Sequence, residues 1–200
     1  MKKILKENRI NDVIQKFSSR FLNVYEVIYL DKFKNEKKWV LASRKKIDDY
    51  KKLINKEECR KVDAVVIVGE NIDEQGIVLI KEFRAPINDY IYSLPAGLVD
   101  NDEDIYETAI REMKEETGLN VVQIDKEKSC QYSYASVGMS DESLSIVYAT
   151  VDGKISDEYL EESEDIQAIY VDKEKAIELL RSDENIDVKA WLVLKEFVER

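Results

Sequence analysis

Histidine is absent from the 200 residues. That absence excludes a Ser-His-Asp or Cys-His catalytic unit, any histidine-ligated metal and an imidazole general base. Cysteine is nearly absent as well. Cys59 and Cys130 stand far apart with no CxxC spacing, so neither a disulfide framework nor a thiolate zinc site is expected, and the usage suits a reducing, cytoplasmic setting. With only six glycines there is no GxGxxG and no GxxxxGK(S/T), which removes the Rossmann turn and the P-loop as phosphate binders. Positive charge is in deficit: 31 Lys and Arg against 42 Asp and Glu leave a net charge of −11. This balance argues against nucleic acid or an anionic membrane as partner. No run approaches the ~20 apolar residues of a membrane span. The opening stretch MKKILKENRINDVIQKF begins basic, as an export signal does, but Asn8, Arg9, Asn11 and Asp12 interrupt any apolar segment, so export is not expected.

What is present describes a globular chain. Hydrophobic residues make up 44% and charged residues 36%, and a chain of this length buries roughly 70% of its unfolded surface without staples. Charge is distributed unevenly. Residues 1–60 carry 17 Lys and Arg against 9 Asp and Glu, a net +8, whereas the remaining 140 carry 14 against 33, a net −19. A basic arm for nucleic acid would look like this. However, the basic residues interleave with strand-like alternation in FLNVYEVIYL (21–30) and KKWVLASRK (37–45), so they read better as solvated faces of a sheet. Docking of this basic part on an acidic body, its own or a second copy's, is the third reading.

From residue 62 short buried strands begin. Asp63–Gly69, Gly76–Phe83 and Asp89–Leu94 are rich in β-branched and aromatic residues and punctuated by Gly or Pro. One helical pattern follows at about 102–117. Further strands are expected near 119–124, 129–134, 143–151 and 166–171. Two helical patterns close the chain: Lys173–Arg181, with Ala176, Ile177 and Leu180 on one face, and Asp187–Val198, whose apolar Val188, Trp191, Leu192, Leu194 and Val198 read as core. Strands and helices that do not alternate strictly indicate an α+β body. Residues 45–62 form a charged connector with a short helical pattern at Ile47, Tyr50, Leu53 and Ile54, and the expected domain boundary falls here, separating 1–60 from 61–200.

Glycines bracket the most acidic helix, PAGLVDNDEDIYETAIREMKEETGL, at Gly97 and Gly118. At 100° per residue Glu112, Glu115 and Glu116 share one stripe, beside an apolar stripe of Ile105, Tyr106, Ala109, Ile110 and Met113 that faces the core. Glu103, Glu107, Arg111 and Glu115 follow at i+4 steps and set the arginine between acids. Asp100 or Asp102 can cap the start, and Gly118 can take the left-handed residue at the end. Three like charges on one face repel. One account is an ordinary acidic surface. The other is a hard divalent cation, since oxygen ligands with no His or Cys nearby favour Mg²⁺ or Mn²⁺ over zinc.

The stretch Gly97–x5–Glu103–x7–Arg111-Glu112-Met113–x–Glu115-Glu116–x–Gly118-Leu119 resembles the Nudix box, and seven fixed letters coincide by chance only about once in 10⁸ start positions. Residues 63–198 further resemble the ADP-ribose pyrophosphatase branch of that family: Lys81-Glu82-Phe83-Arg84, Leu94-Pro95-Ala96-Gly97 leading into the box, and a late Glu162-Ser163-Glu164-Asp165-Ile166. The resemblance implies a Nudix α/β/α sandwich with a mixed β-sheet, preceded by a small N-terminal antiparallel β domain. It also implies Mg²⁺-dependent hydrolysis (Mn²⁺ substituting) of a nucleoside diphosphate sugar, with ADP-ribose giving AMP and ribose 5-phosphate. By the same resemblance Glu112, Glu115, Glu116 and the Ala96 carbonyl are metal ligands. Arg111 and Glu103 orient the helix charges, Arg111 and Glu115 count among the catalytic residues, and Gly97 permits a close approach. Arg84 meets substrate, and Glu162 first or Glu164 second handles the water. The N-terminal part resembles a two-strand module that pairs two protomers and helps bind the base, with Tyr25, Tyr29, Phe33 or Trp39 as stacking candidates. Two departures stand out. Ser93 takes a position often held by Glu, and Val137 takes that of a proline about fifteen to twenty residues past the box. Open alternatives are a hydrolase of another nucleotide sugar such as GDP-mannose, and a non-catalytic ADP-ribose-binding module.

Overall fold

The structure, a computed structural model, describes residues 8–57, 61–71, 73, 75–100, 103–162 and 164–200. Cys59 and Asp102 lie outside these. The chain divides into two compact units, residues 1–63 with 134–143, and residues 64–133 with 144–200.

The first unit is an antiparallel sheet of β1 (Ile10–Ser18), β2 (Asn23–Leu30) and β3 (Glu36–Ser43), with helix α1 (Ile47–Asn55). Its core is Val13, Tyr25, Val27, Leu41 and Tyr50, with the Tyr25 and Tyr50 rings stacked at 5.1 Å. Strand β1 adds a third strand where the sequence pattern indicated two. Only its Val13 is buried and its pairing is irregular near Asp12 and Gln15–Phe17, so it carries almost no alternation to read. The turn 134–143 belongs to this unit. Ala42 N–H donates to the Met139 carbonyl at 2.8 Å, Arg44 pairs with Glu142 at 2.9 Å, and the Lys45 ammonium bridges Asp63 and Asp141.

The second unit is a seven-stranded mixed sheet. Its strands are β4 (Ala64–Asn71), β5 (Gly76–Arg84), β6 (Asp89–Ser93), β7 (Ala96–Leu98), β8 (Asn120–Tyr134), β9 (Ser143–Asp152) and β10 (Ile166–Val171). The order is β10-β5-β4-β9-β8, with β6 on β5 and β7 on β4. The β4–β9 pair is parallel, whereas the β4–β5, β4–β7, β5–β6 and β5–β10 pairs are antiparallel. Helix α2 (Ile105–Thr117) covers one face, and α3 (Lys173–Arg181) and α4 (Val188–Glu199) cover the other. This is the expected α/β/α sandwich. Burial on both faces explains why β4 reads as an unbroken apolar run: Val65 and Ile67 pack toward α2, while Val66 and Val68 pack toward α3 and α4.

Several expectations are corrected in detail. The segment expected as two strands is one, β8. Its DKEK interruption is absorbed because the Asp125 carboxylate accepts from the Glu127 and Lys128 N–H groups, local bonds that stand in for part of the ladder. On α4 the buried positions are Ala190, Val193, Leu194 and Phe197, and Val188, Trp191 and Leu192 are exposed. The helix is apolar on more than one face, so hydropathy alone does not select the buried one. Ile110 on α2 is likewise exposed. Among the described residues no helix is long and apolar enough to cross a membrane.

Candidate active site

Helix α2 begins with a capping box. Asp104 accepts from the Tyr106 and Glu107 N–H groups, and the Glu107 carboxylate reaches back to the Asp104 N–H at 3.0 Å. The expected caps Asp100 or Asp102 are thus replaced by Asp104, which stands directly before the first helical residue and whose Glu107, three residues on, closes the box. The same bond takes Glu107 out of the row of acids expected beside Arg111. At the other end Gly118 adopts φ 74°, and a Cβ there would lie 2.8 Å from the Ser156 backbone nitrogen. Ala109 and Met113 pack the helix onto the sheet.

With the helix so placed, β7 crosses its acidic face. Gly97 lies so close to Glu112 that a Cβ would fall 1.8 Å from the carboxylate carbon; the glycine makes the seat in which that carboxylate rests. Beside it the Glu116 side chain, 6% exposed, accepts the Ala96 N–H at 2.9 Å. Burial pushes the Glu116 carboxyl up to about 9, with Glu112, Glu82 and Glu164 adding repulsion. Burial also raises Glu112, against the pull of Arg111. Two carboxyls held this far from water, one of them with a single backbone donor, are the environment that a cation stabilises.

Arg111 organises the rest. Its Nε and Nη2 grip Glu103 through both oxygens at 2.9 Å each, and its Nη1 donates to Glu112 at 2.7 Å and Glu115 at 2.8 Å. The paired guanidinium holds Glu103 below the ordinary glutamate value, and these acids raise Arg111 in turn. Nη1 bridges Glu112 and Glu115, and among the described residues no three acids are grouped closely enough to hold an ion as they stand. The donor set itself, carboxylates with a backbone carbonyl nearby and no His or Cys, fits Mg²⁺ or Mn²⁺.

The structure therefore brings Ala96, Gly97, Glu103, Arg111, Glu112, Glu115 and Glu116 together, whereas Gly118 ends the helix against Ser156. Arg84 lies at the end of β5, its Nη2 donating to Glu82 at 2.8 Å. The two late acids separate. Glu164 acts electrostatically on both Glu112 and Glu116, and its own segment is tied to β5 by the Phe83 N–H donating to Asp165 O at 3.1 Å. Glu162 is exposed. Sequence reasoning assigned no role to Glu82, which is buried. Its parity with the buried Val78 and Ile80 on β5 is the signal that could have found it.

Comparison with known proteins bears on the family and the fold. A family profile described as NUDIX domain matches residues 60–192. The chain is similar to the ADP-ribose pyrophosphatase of Bacillus subtilis (strain 168), 31% identical over 151 residues that cover 72% of this chain and 80% of that protein. It is similar to the ADP-ribose pyrophosphatase of Saccharomyces cerevisiae, 28% identical over 165 residues, 78% of this chain and 66% of the other. A solved structure described as an ADP compounds hydrolase superposes with a TM-score of 0.70, covering 98% of this chain and 97% of its own, at 18% identity. That last likeness speaks to the fold alone.

Proposed function

This chain belongs to the Nudix family, on its ADP-ribose pyrophosphatase-like branch, and from that premise we propose that it hydrolyses the diphosphate linkage of a nucleoside diphosphate sugar. ADP-ribose is the substrate this reading favours, with water adding across the linkage to give AMP and ribose 5-phosphate. The observation that carries it is the seat at Gly97: a complete acid cluster on α2, with Glu112 pressed against backbone that has no side chain and Glu116 buried behind it.

Glu112, Glu115 and Glu116, with the Ala96 carbonyl, would hold Mg²⁺, or Mn²⁺ in its place. When bound there, such a cation would supply charge neutralisation at the diphosphate and a lowered pKa for a water. The chain's own groups do the rest. Arg84 holds a phosphate, and Arg111 keeps Glu103, Glu112 and Glu115 in register. With no histidine in the chain, a carboxylate must take or orient the water's proton. Glu164 is better supported for that role than Glu162, because its charge reaches Glu112 and Glu116. The exposed Phe17, Phe33, Trp39 and Val40 of the first unit support a second copy pairing there, which light scattering on the intact chain reads directly.

The test is a hydrolysis panel of ADP-ribose, GDP-mannose and related compounds with Mg²⁺ and with Mn²⁺, in parallel with Glu116→Gln. AMP release from ADP-ribose by the wild type, lost in the variant, is the expected result. Release of GMP from GDP-mannose alone would move the substrate. Tight binding of intact ADP-ribose would make the chain a binding module. Turnover near wild type in Glu116→Gln at saturating Mg²⁺ would refute the metal assignment.

A further inference from the structure

Strand β5 carries a single carboxylate among its inward positions. Glu82 is 7% exposed and follows Val78 and Ile80 on the same side of the strand. Across the β5–β6 ladder Ile80 faces Ser93 and Glu82 faces Ile91, so Ser93 stands diagonal to the acid, within reach of a side-chain bond. A carboxylate buried to this degree is unfavourable unless donors meet its oxygens. Donors meet both. The Ser93 hydroxyl donates to Oε1, and the Arg84 Nη2 lies 2.8 Å from Oε1 and from Oε2.

The two partners of this bond differ in exposure. The Glu82 side chain is buried, whereas the Arg84 side chain is 57% exposed. The guanidinium is tethered at one nitrogen to an immobile anion and extends outward from it. An exposed arginine that grips a phosphate gives up rotamer freedom, and one whose direction is already set gives up less. Such an anchor acts on substrate binding and leaves the bond-breaking step alone. The position of Ser93, where the resembling proteins often carry Glu, gains meaning from this arrangement: the carboxylate arrives from the facing strand, and the serine braces it.

We propose that Glu82, braced by Ser93, is a positioning residue that holds the Arg84 guanidinium toward a phosphate of the nucleoside diphosphate substrate. This rests on the reading of Arg84 as a phosphate contact. Removing the charge while keeping the shape, as in Glu82→Gln, leaves an amide with no negative charge to hold the guanidinium and with a donor in place of the second accepting oxygen. Arg84 then loses its fixed direction.

The experiment is steady-state hydrolysis of ADP-ribose with Mg²⁺ by the full chain, with melting temperatures, for wild type, R84A, E82Q, E82Q/R84A and E82Q/S93E. The expected result is a KM raised about tenfold in E82Q with kcat within about twofold, the scale of one charge-assisted hydrogen bond. E82Q/R84A should match R84A in KM, because the anchor reaches the substrate only through the arginine. E82Q/S93E, which returns a carboxylate from β6, should bring KM back to within about threefold of wild type. An active wild type whose KM rises in R84A but not in E82Q overturns the proposal and leaves the functional reading standing. So does a double variant in which the two effects multiply. An E82Q chain that fails to fold, or whose kcat falls together with its melting temperature, assigns Glu82 a purely structural role and also overturns it. A wild type that cleaves no nucleoside diphosphate sugar removes the functional reading and this proposal together.

Discussion

Gly97→Ala isolates the contact on which the site depends. A Cβ built on Gly97 lies 1.8 Å from Cδ and from Oε1 of Glu112 and 2.4 Å from Oε2. Carbon contacts are comfortable only near ~3.5 Å, so the carboxylate must withdraw by about 2 Å. The backbone itself does not resist the change: Gly97 sits in strand β7 and is not among the glycines with positive φ. The atoms in the way are the far end of a flexible side chain, so the chain folds and the acid moves. Misplacement of a reacting or ligating group by about 1 Å costs about 10²-fold in rate, and turnover of ADP-ribose should fall by at least that factor. Stability should change little. The displaced carboxylate gives up its 2.7 Å bond from Arg111, a partly exposed pair of about 1 kcal/mol or less, which for a chain of this size lowers Tm by about 2–4 °C. The assay pairs AMP release with a thermal melt. Turnover within about threefold of wild type, well short of the 10²-fold loss, would refute the claim that Glu112 must occupy that seat. A Tm lowered by more than about 10 °C would show that the close approach serves the fold instead.

The raised Glu116 carboxyl predicts a pH dependence with a definite sign. With its folded value at about 9 above an unfolded glutamate near ~4.3, the native state keeps a proton that the unfolded chain has lost. In EDTA, stability from this group is full below the unfolded value and declines as pH rises toward about 9, at about 1.4 kcal/mol per pH unit. Burial raises Glu112 as well and adds to the slope. Urea unfolding at several pH values measures it, and a flat or rising profile in wild type, or an undiminished slope in Glu116→Gln, would contradict the assignment. Of the two late acids, Glu164→Gln should lower kcat by about 10²-fold, the lower range for losing general acid–base assistance, whereas Glu162→Gln should stay within about threefold. The reverse order would transfer the role to Glu162.

Much of the site was legible along the chain because it is local. Glu112, Glu115 and Glu116 share a face by helical period, Gly118 closes the helix where a left-handed residue is needed, and the Glu103–Arg111 grip spans eight residues of one loop and helix. The mixed sheet was legible in the same way, through the unbroken apolar runs of β4 and β5 that burial on both faces requires. What failed was less local. Strand β1 buries only Val13 and owes its existence to pairing with β2. Val188, Trp191 and Leu192 are as apolar as their buried neighbours on α4, and packing alone chose between them.

The box residues, the absence of histidine and the acid-only donor set followed from the amino-acid order, because helix period and ligand chemistry need nothing beyond neighbours in sequence. Three things waited for tertiary structure: Gly97 being the seat of Glu112, the segment of Glu164 and Asp165 being tied to β5, and Glu82 joining Ser93 and Arg84 across two strands. Each depends on which segments come within about 3 Å of one another, and strand pairing and loop docking set those distances between residues that are remote along the chain.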